Sequence, residues 1–180
     1  MTDTNGPRAL LERIRTWLVL FVVCLVLSGL TAFPLVTELR LLDSALTGWA
    51  APVADALPGL AEWIHRVRGG LETADRDAPY LLYGNDWPAF AHLVIAVAFH
   101  GVWRDPVRNV RVVEFGMLAC VGIIPLALIC GPIREIPFWW SVVDMSFGVF
   151  GILPLLLVRR LIKRLEAATT TAAPEAVPAA

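Results

Sequence analysis

"TWLVLFVVCLVLSGLTAFPLV", residues 16–36, is a run of 21 residues without one charged side chain. A helix rises about 1.5 Å per residue, so roughly 20 such residues cross a hydrocarbon core about 30 Å thick. Lipid offers no water to the backbone, and only helices or closed barrels satisfy their own N–H and C=O groups there. The run is too long and too continuous for a barrel strand. It also exceeds the roughly 7–15-residue apolar core of a signal peptide. A cut after Ala32 would leave Leu30 where a small side chain is needed, so a retained anchor is expected.

Three more apolar runs follow, at 88–103, 111–131 and 138–158. The whole chain of 180 residues is 57% hydrophobic, above the roughly 45–50% of soluble domains, and its mean hydropathy is +0.67. Lysine and arginine number 15 against 16 acidic residues. That balance leaves no basic field for nucleic acid. Cys24, Cys120 and Cys130 lie in or beside apolar runs without CxxC spacing and are expected to be small buried hydrophobes.

Basic residues in the flanks set the orientation. Arg8, Arg13 and Arg15 precede the first run, Arg104, Arg108 and Arg111 separate the second and third, and Arg159, Arg160, Lys163 and Arg164 follow the fourth. The opposite side carries Arg40, Arg66, Arg68, Arg76 and Arg134 over a much longer stretch. Both termini are therefore expected in the cytoplasm. Trp17 and Trp103 fall at inner ends, and Trp87, Trp139 and Trp140 at outer ends, where amphipathic rings settle.

The long connection, 37–87, then faces outward. Leu39, Leu42, Leu46 and Trp49 recur at helical steps, as do Leu60, Trp63, Val67 and Leu71 behind Pro58, a residue suited to a first helical position. The expected fold is all-α: an integral membrane four-helix bundle over 1–165, N-in/C-in, with an extracytoplasmic cap of amphipathic helices at 37–87. Residues 166–180, "EAATTTAAPEAVPAA", hold almost no large apolar side chain and are expected to form a disordered cytoplasmic tail. The layout resembles that of small four-helix bacterial membrane proteins, so the expected location is a bacterial inner membrane.

Ionisable side chains at membrane depth cost about 2.5–3.5 kcal/mol each on insertion scales and call for partners. His92 and Asp144 both fall in the outer leaflet, roughly 6 and 9 Å deep by helical rise. Arg134 lies in the short outer turn, and Asp86, at the mouth of the second run, is expected to cap its helix. His100 and Glu114 share the inner leaflet, forming a secondary pair. Gly148 and Gly151, with Asp144, make a small-residue face expected to meet the second helix. A carboxylate beside a histidine stabilises its protonated form, which suits acid–base chemistry, proton movement or plain helix register.

The two membrane histidines share one helix, roughly 12 Å apart, so they do not form a haem pair. The ligand set is thin for zinc, and no GxSxG, HExxH, Walker or GxGxxG motif occurs. No metal or cofactor is expected. The expected function is non-catalytic: a membrane protein that binds a lipid, a small hydrophobic molecule or a membrane partner protein. The alternative is a small transporter or intramembrane enzyme using His92 and Asp144 from the outer side, with Asp86 and Arg134 beside them. Whether the chain is an enzyme stays open at this point.

Overall fold

A computed structural model describes residues 6–171. It is 89% helix, with no strand among the described residues. Seven helices follow in order: α1 Pro7–Ala32, α2 Leu35–Thr47, α3 Ala51–Ala56, α4 Pro58–Asp77, α5 Tyr83–Arg104, α6 Val110–Ile133 and α7 Phe138–Thr171. A 3-10 turn, Pro79–Leu81, leads into α5. Each of the four apolar runs is helical. Three of these helices, α1, α6 and α7, are apolar and long enough to cross a membrane. The fourth, α5, has 22 residues, but Asn85, Asp86, His92, His100 and Arg104 dilute its hydropathy.

Proline fixes several boundaries. α1 stops at Ala32 because Pro34 lacks an N–H and its ring clashes with the carbonyl four residues back. The run 16–36 is therefore a helix and the start of a second one. α4 begins at Pro58, whose fixed φ suits a first helical position. α5 begins five residues ahead of Pro88, so Asp86 lies inside its first turn and is not its cap. A carboxylate there still complements the positive end of the helix dipole. α7 runs to Thr171, into the stretch expected to be a tail; residues 172–180 lie outside the described residues.

The chain divides into two compact units, one of residues 6–24 with 96–171 and the other of residues 25–95. In the first, four helical segments contribute buried side chains. Leu10, Ile14 and Leu18 recur every fourth residue on α1. Phe99 and Val102 are buried on α5, Val113 on α6, and Leu155, Val158 and Ile162 on α7. The segments meet at glycine. A Cβ on Gly116 would lie 2.9 Å from the Phe99 ring and 3.0 Å from Leu155. A Cβ on Gly148 would collide with the backbone carbonyl of Cys120. Without a hydrophobic drive between helices in lipid, such close approach is what holds them together. The Gly148 and Gly151 face thus packs on Cys120 of α6, a partner the sequence did not suggest. Cys120 is buried as expected, whereas Cys24 and Cys130 lie on the outside of their helices.

Two turns connect these segments. Asn109 donates to the carbonyls of Gly101 and Asp105, bracing the α5–α6 turn. At the end of α6, Ile136 N–H donates to Gly131 C=O and Glu135 N–H to Pro132 C=O. This is a Schellman closure, and it puts Glu135 in the left-handed region at φ 56, where glycine is the usual residue.

In the unit of residues 25–95, α2 packs on α4 around Leu46 and Ile64. The inward face of α2 is Leu39, Asp43 and Leu46. Leu42 points away from it, and Trp49 lies beyond the helix end, 86% exposed. The rotation brings Asp43 onto α4. Elsewhere in this unit, a Cβ on Gly29 of α1 would lie 2.9 Å from the Ala89 carbonyl and 3.0 Å from the Cβ of His92.

Candidate functional site

The residues singled out by the sequence fall into both units. Asp86 and His92 belong to residues 25–95; Arg134, Asp144, His100 and Glu114 belong to the other unit.

His92 is half-buried on α5, and its Nδ1 lies 2.6 Å from the carbonyl of Pro88, one turn back. A carbonyl only accepts, so Nδ1 carries the proton. The neutral ring then presents Nε2 as a free lone pair. Asp144 is half-buried on α7, and Arg134 is exposed at the C-cap of α6, where its N–H donates to the Cys130 and Gly131 carbonyls; the side chain of neither makes a hydrogen bond or ion pair among the described residues.

Glu114 is held by arginine. Its Oε1 lies 3.1 Å from Arg159 and its Oε2 3.2 Å from Arg111. Arg159 comes from α7, 45 residues away. His100 is exposed on α5 and makes no hydrogen bond among the described residues. It lines an open groove of about 280 Å³ between α1 and α5. Leu18 and Phe99 form the floor, both almost fully buried, and Val19, Val22 and Val23 form one wall. Trp103 closes the end where the basic flanks begin. The guanidinium of Arg15 sits 5.5 Å above the Trp103 ring, a cation–π contact. Its Nε is buried without a hydrogen-bond partner. The groove is therefore an apolar slot whose lining includes Trp103, the ring on which Arg15 stacks.

A third cluster, with no signature in the linear sequence, joins α2 to α4. Asp43, only 8% exposed, receives Arg68 at 3.2 Å and His65 at 3.4 Å. Arg40 donates to Glu72 at 2.7 Å, and this hydrogen bond holds the Glu72 carboxyl below its ordinary range, with Arg68 and Arg76 adding to it. The acidic and basic residues of the connection were visible in the sequence; their pairing across 32 residues was not. No three histidine, cysteine, aspartate or glutamate side chains converge in a way that would hold a metal, among the described residues.

These arrangements offer two kinds of chemistry: recognition of an amphiphile along the α1–α5 groove, and proton acceptance at His92. No family model, curated protein or solved structure matches the chain.

Proposed function

We propose that the chain is a multi-pass protein of a bacterial inner membrane that binds lipid and is not an enzyme. In this reading α1, α5, α6 and α7 form a four-helix bundle with both termini cytoplasmic. α2 to α4 form an extracytoplasmic cap of amphipathic helices. Three helices apolar enough to span support it. So does the placement of Arg8, Arg13, Arg15, Arg104, Arg108, Arg111, Arg159, Arg160, Lys163 and Arg164 in the flanks that this topology puts inside, since basic residues stay on the cytoplasmic side.

The observation that carries lipid binding is the apolar groove lined by Trp103, with Arg15 stacked on that ring. Its apolar walls suit an acyl chain. Arg15, beside the Trp103 ring and in a unit rich in arginine and lysine, suits the phosphate of an anionic phospholipid. Each basic side chain near such a headgroup contributes about 1 kcal/mol. Native mass spectrometry of the purified protein, supplied with phosphatidylglycerol or phosphatidylcholine, tests this. Retention of phosphatidylglycerol in preference, reduced roughly tenfold in an Arg15→Gln/Arg104→Gln double variant, is the expected result. Equal retention of the two lipids, or no effect of the substitutions, would refute it.

A second reading rests on the free Nε2 of His92. With Asp144, Asp86 and Arg134 it would make an outward-facing acid–base site for transport or intramembrane chemistry. Disulfide cross-linking of cysteines placed at positions 92 and 144 tests that site. Failure of every neighbouring pair to link would remove it.

A further inference from the structure

A second groove lies wholly within residues 25–95. Phe33, Tyr83, Trp87 and Phe90 line it together with Asp86, around a volume of about 260 Å³. Its geometry follows from local structure. Tyr83, Asp86, Trp87 and Phe90 recur at three- and four-residue steps on α5, so they share one face. Phe33 arrives from the break before Pro34. Asn85 ties the two pieces together by donating to the Ala32 carbonyl at 2.6 Å. Tyr83 and Trp87 meet edge to face with centroids 5.9 Å apart. Asp86 is half-buried and has no hydrogen bond or ion pair among the described residues.

A carboxylate without a partner, among four aromatic rings, attracts a cation. Ring faces carry negative potential and bind ammonium groups, and Phe33, Tyr83, Trp87 and Phe90 are all exposed to such a ligand. One carboxylate is too few for a hard metal ion, which takes six or more oxygen ligands. The apolar lining favours carbon substituents on the charged nitrogen. The carboxylate also offsets the positive end of the α5 dipole, which would otherwise repel a cation. We infer that this groove binds a substituted ammonium group, of the choline type, between Asp86 and the four aromatic rings. This site is separate from the α1–α5 groove, and either one stands if the other fails.

Such a group can come from a phospholipid headgroup or from a free solute, and binding measurements separate them. Radiolabelled choline is titrated onto the full-length protein in a maltoside detergent, then in nanodiscs of phosphatidylglycerol or of phosphatidylcholine. Saturable binding is expected in detergent. The uncharged isostere 3,3-dimethylbutanol should compete at least roughly tenfold more weakly, and Asp86→Asn should lose binding by a similar factor without a change in melting temperature. Trp87→Leu should weaken binding, and Trp87→Phe should restore part of it. Choline binding blocked only in phosphatidylcholine nanodiscs assigns the site to a lipid headgroup. Binding in both nanodiscs assigns it to a free solute. Absence of saturable binding, equal competition by the uncharged isostere, or unchanged binding in both Asp86→Asn and Trp87→Leu would overturn the proposal.

Discussion

The two compact units are held together by different physics. Residues 6–24 with 96–171 rely on aliphatic side chains and on glycine contacts that bring backbones together, with the Glu114 cluster at one end. Within residues 25–95, α2 and α4 bury few large side chains, Leu46 and Ile64 among them, and use charge instead: Asp43 with Arg68 and His65, and Arg40 with Glu72. The contrast fits the solvents proposed for the spanning helices and for α2 to α4. In lipid, packing must replace the hydrophobic effect. At a wet surface, amphipathic helices can be joined by ion pairs that water still reaches.

Substitutions should therefore hurt the two units for different reasons. The largest effect is expected at Gly148, where a side chain would drive into the Cys120 backbone. Gly148→Leu should lower stability by about 3 kcal/mol or more. Gly122→Leu, in the same unit but facing open space, should stay within about 0.5 kcal/mol of the parent. Thermal unfolding in detergent reads both, and equal effects would break the contrast.

Next comes Asp43→Ala, which strands Arg68 beside a half-covered helix contact. The loss should be about 2 kcal/mol at neutral pH, because the Asp43 side chain is 11% exposed and that of Arg68 28% exposed. A double variant that also replaces Arg68 by methionine should recover part of it. Full additivity would show that the pair is not coupled.

A smaller effect of opposite sign is expected at Glu135. Glycine would relieve its left-handed backbone, so Glu135→Gly should stabilise by about 0.5–1 kcal/mol. A destabilised variant would mean that the Glu135 side chain does more than close the turn.

The smallest effect concerns Arg40 and Glu72, an exposed pair. The folded carboxyl titrates below its unfolded range because Arg40 hydrogen-bonds its charged form. The pair's contribution is therefore present above the ordinary carboxylate range and fades as pH falls through the lowered folded value. Arg40→Gln should reduce stability slightly at pH 7, and the difference from the parent should disappear in acid. A difference that persists at pH 2 would assign the effect to packing.

The helices were legible because each apolar run exceeds what a strand can use, and because Pro34 and Pro58 mark boundaries by removing N–H groups. The basic flanks were legible too. The partners were not. Glu114 found Arg159 across 45 residues, and nothing in a linear pattern separates that from a histidine at matching depth. The period of α2 marked a helix, but the buried face included Asp43 in place of Leu42 because an arginine on α4 awaits it. The aromatic groove escaped notice for a related reason. Tyr83, Trp87 and Phe90 look like interfacial aromatics one at a time, and only the arrival of Phe33 and the unpaired Asp86 makes them a site.

The account rests above all on four crossings with an outward cap. Single cysteines at Gly70, where a side chain meets open space, and at exposed Arg108 test it directly. Cys24, Cys120 and Cys130 are replaced by alanine, and intact cells are treated with a membrane-impermeant maleimide. The account predicts that the cysteine at position 70 reacts at once and that the one at position 108 reacts only after permeabilisation. Labelling of both from outside, or of position 108 alone, would contradict it.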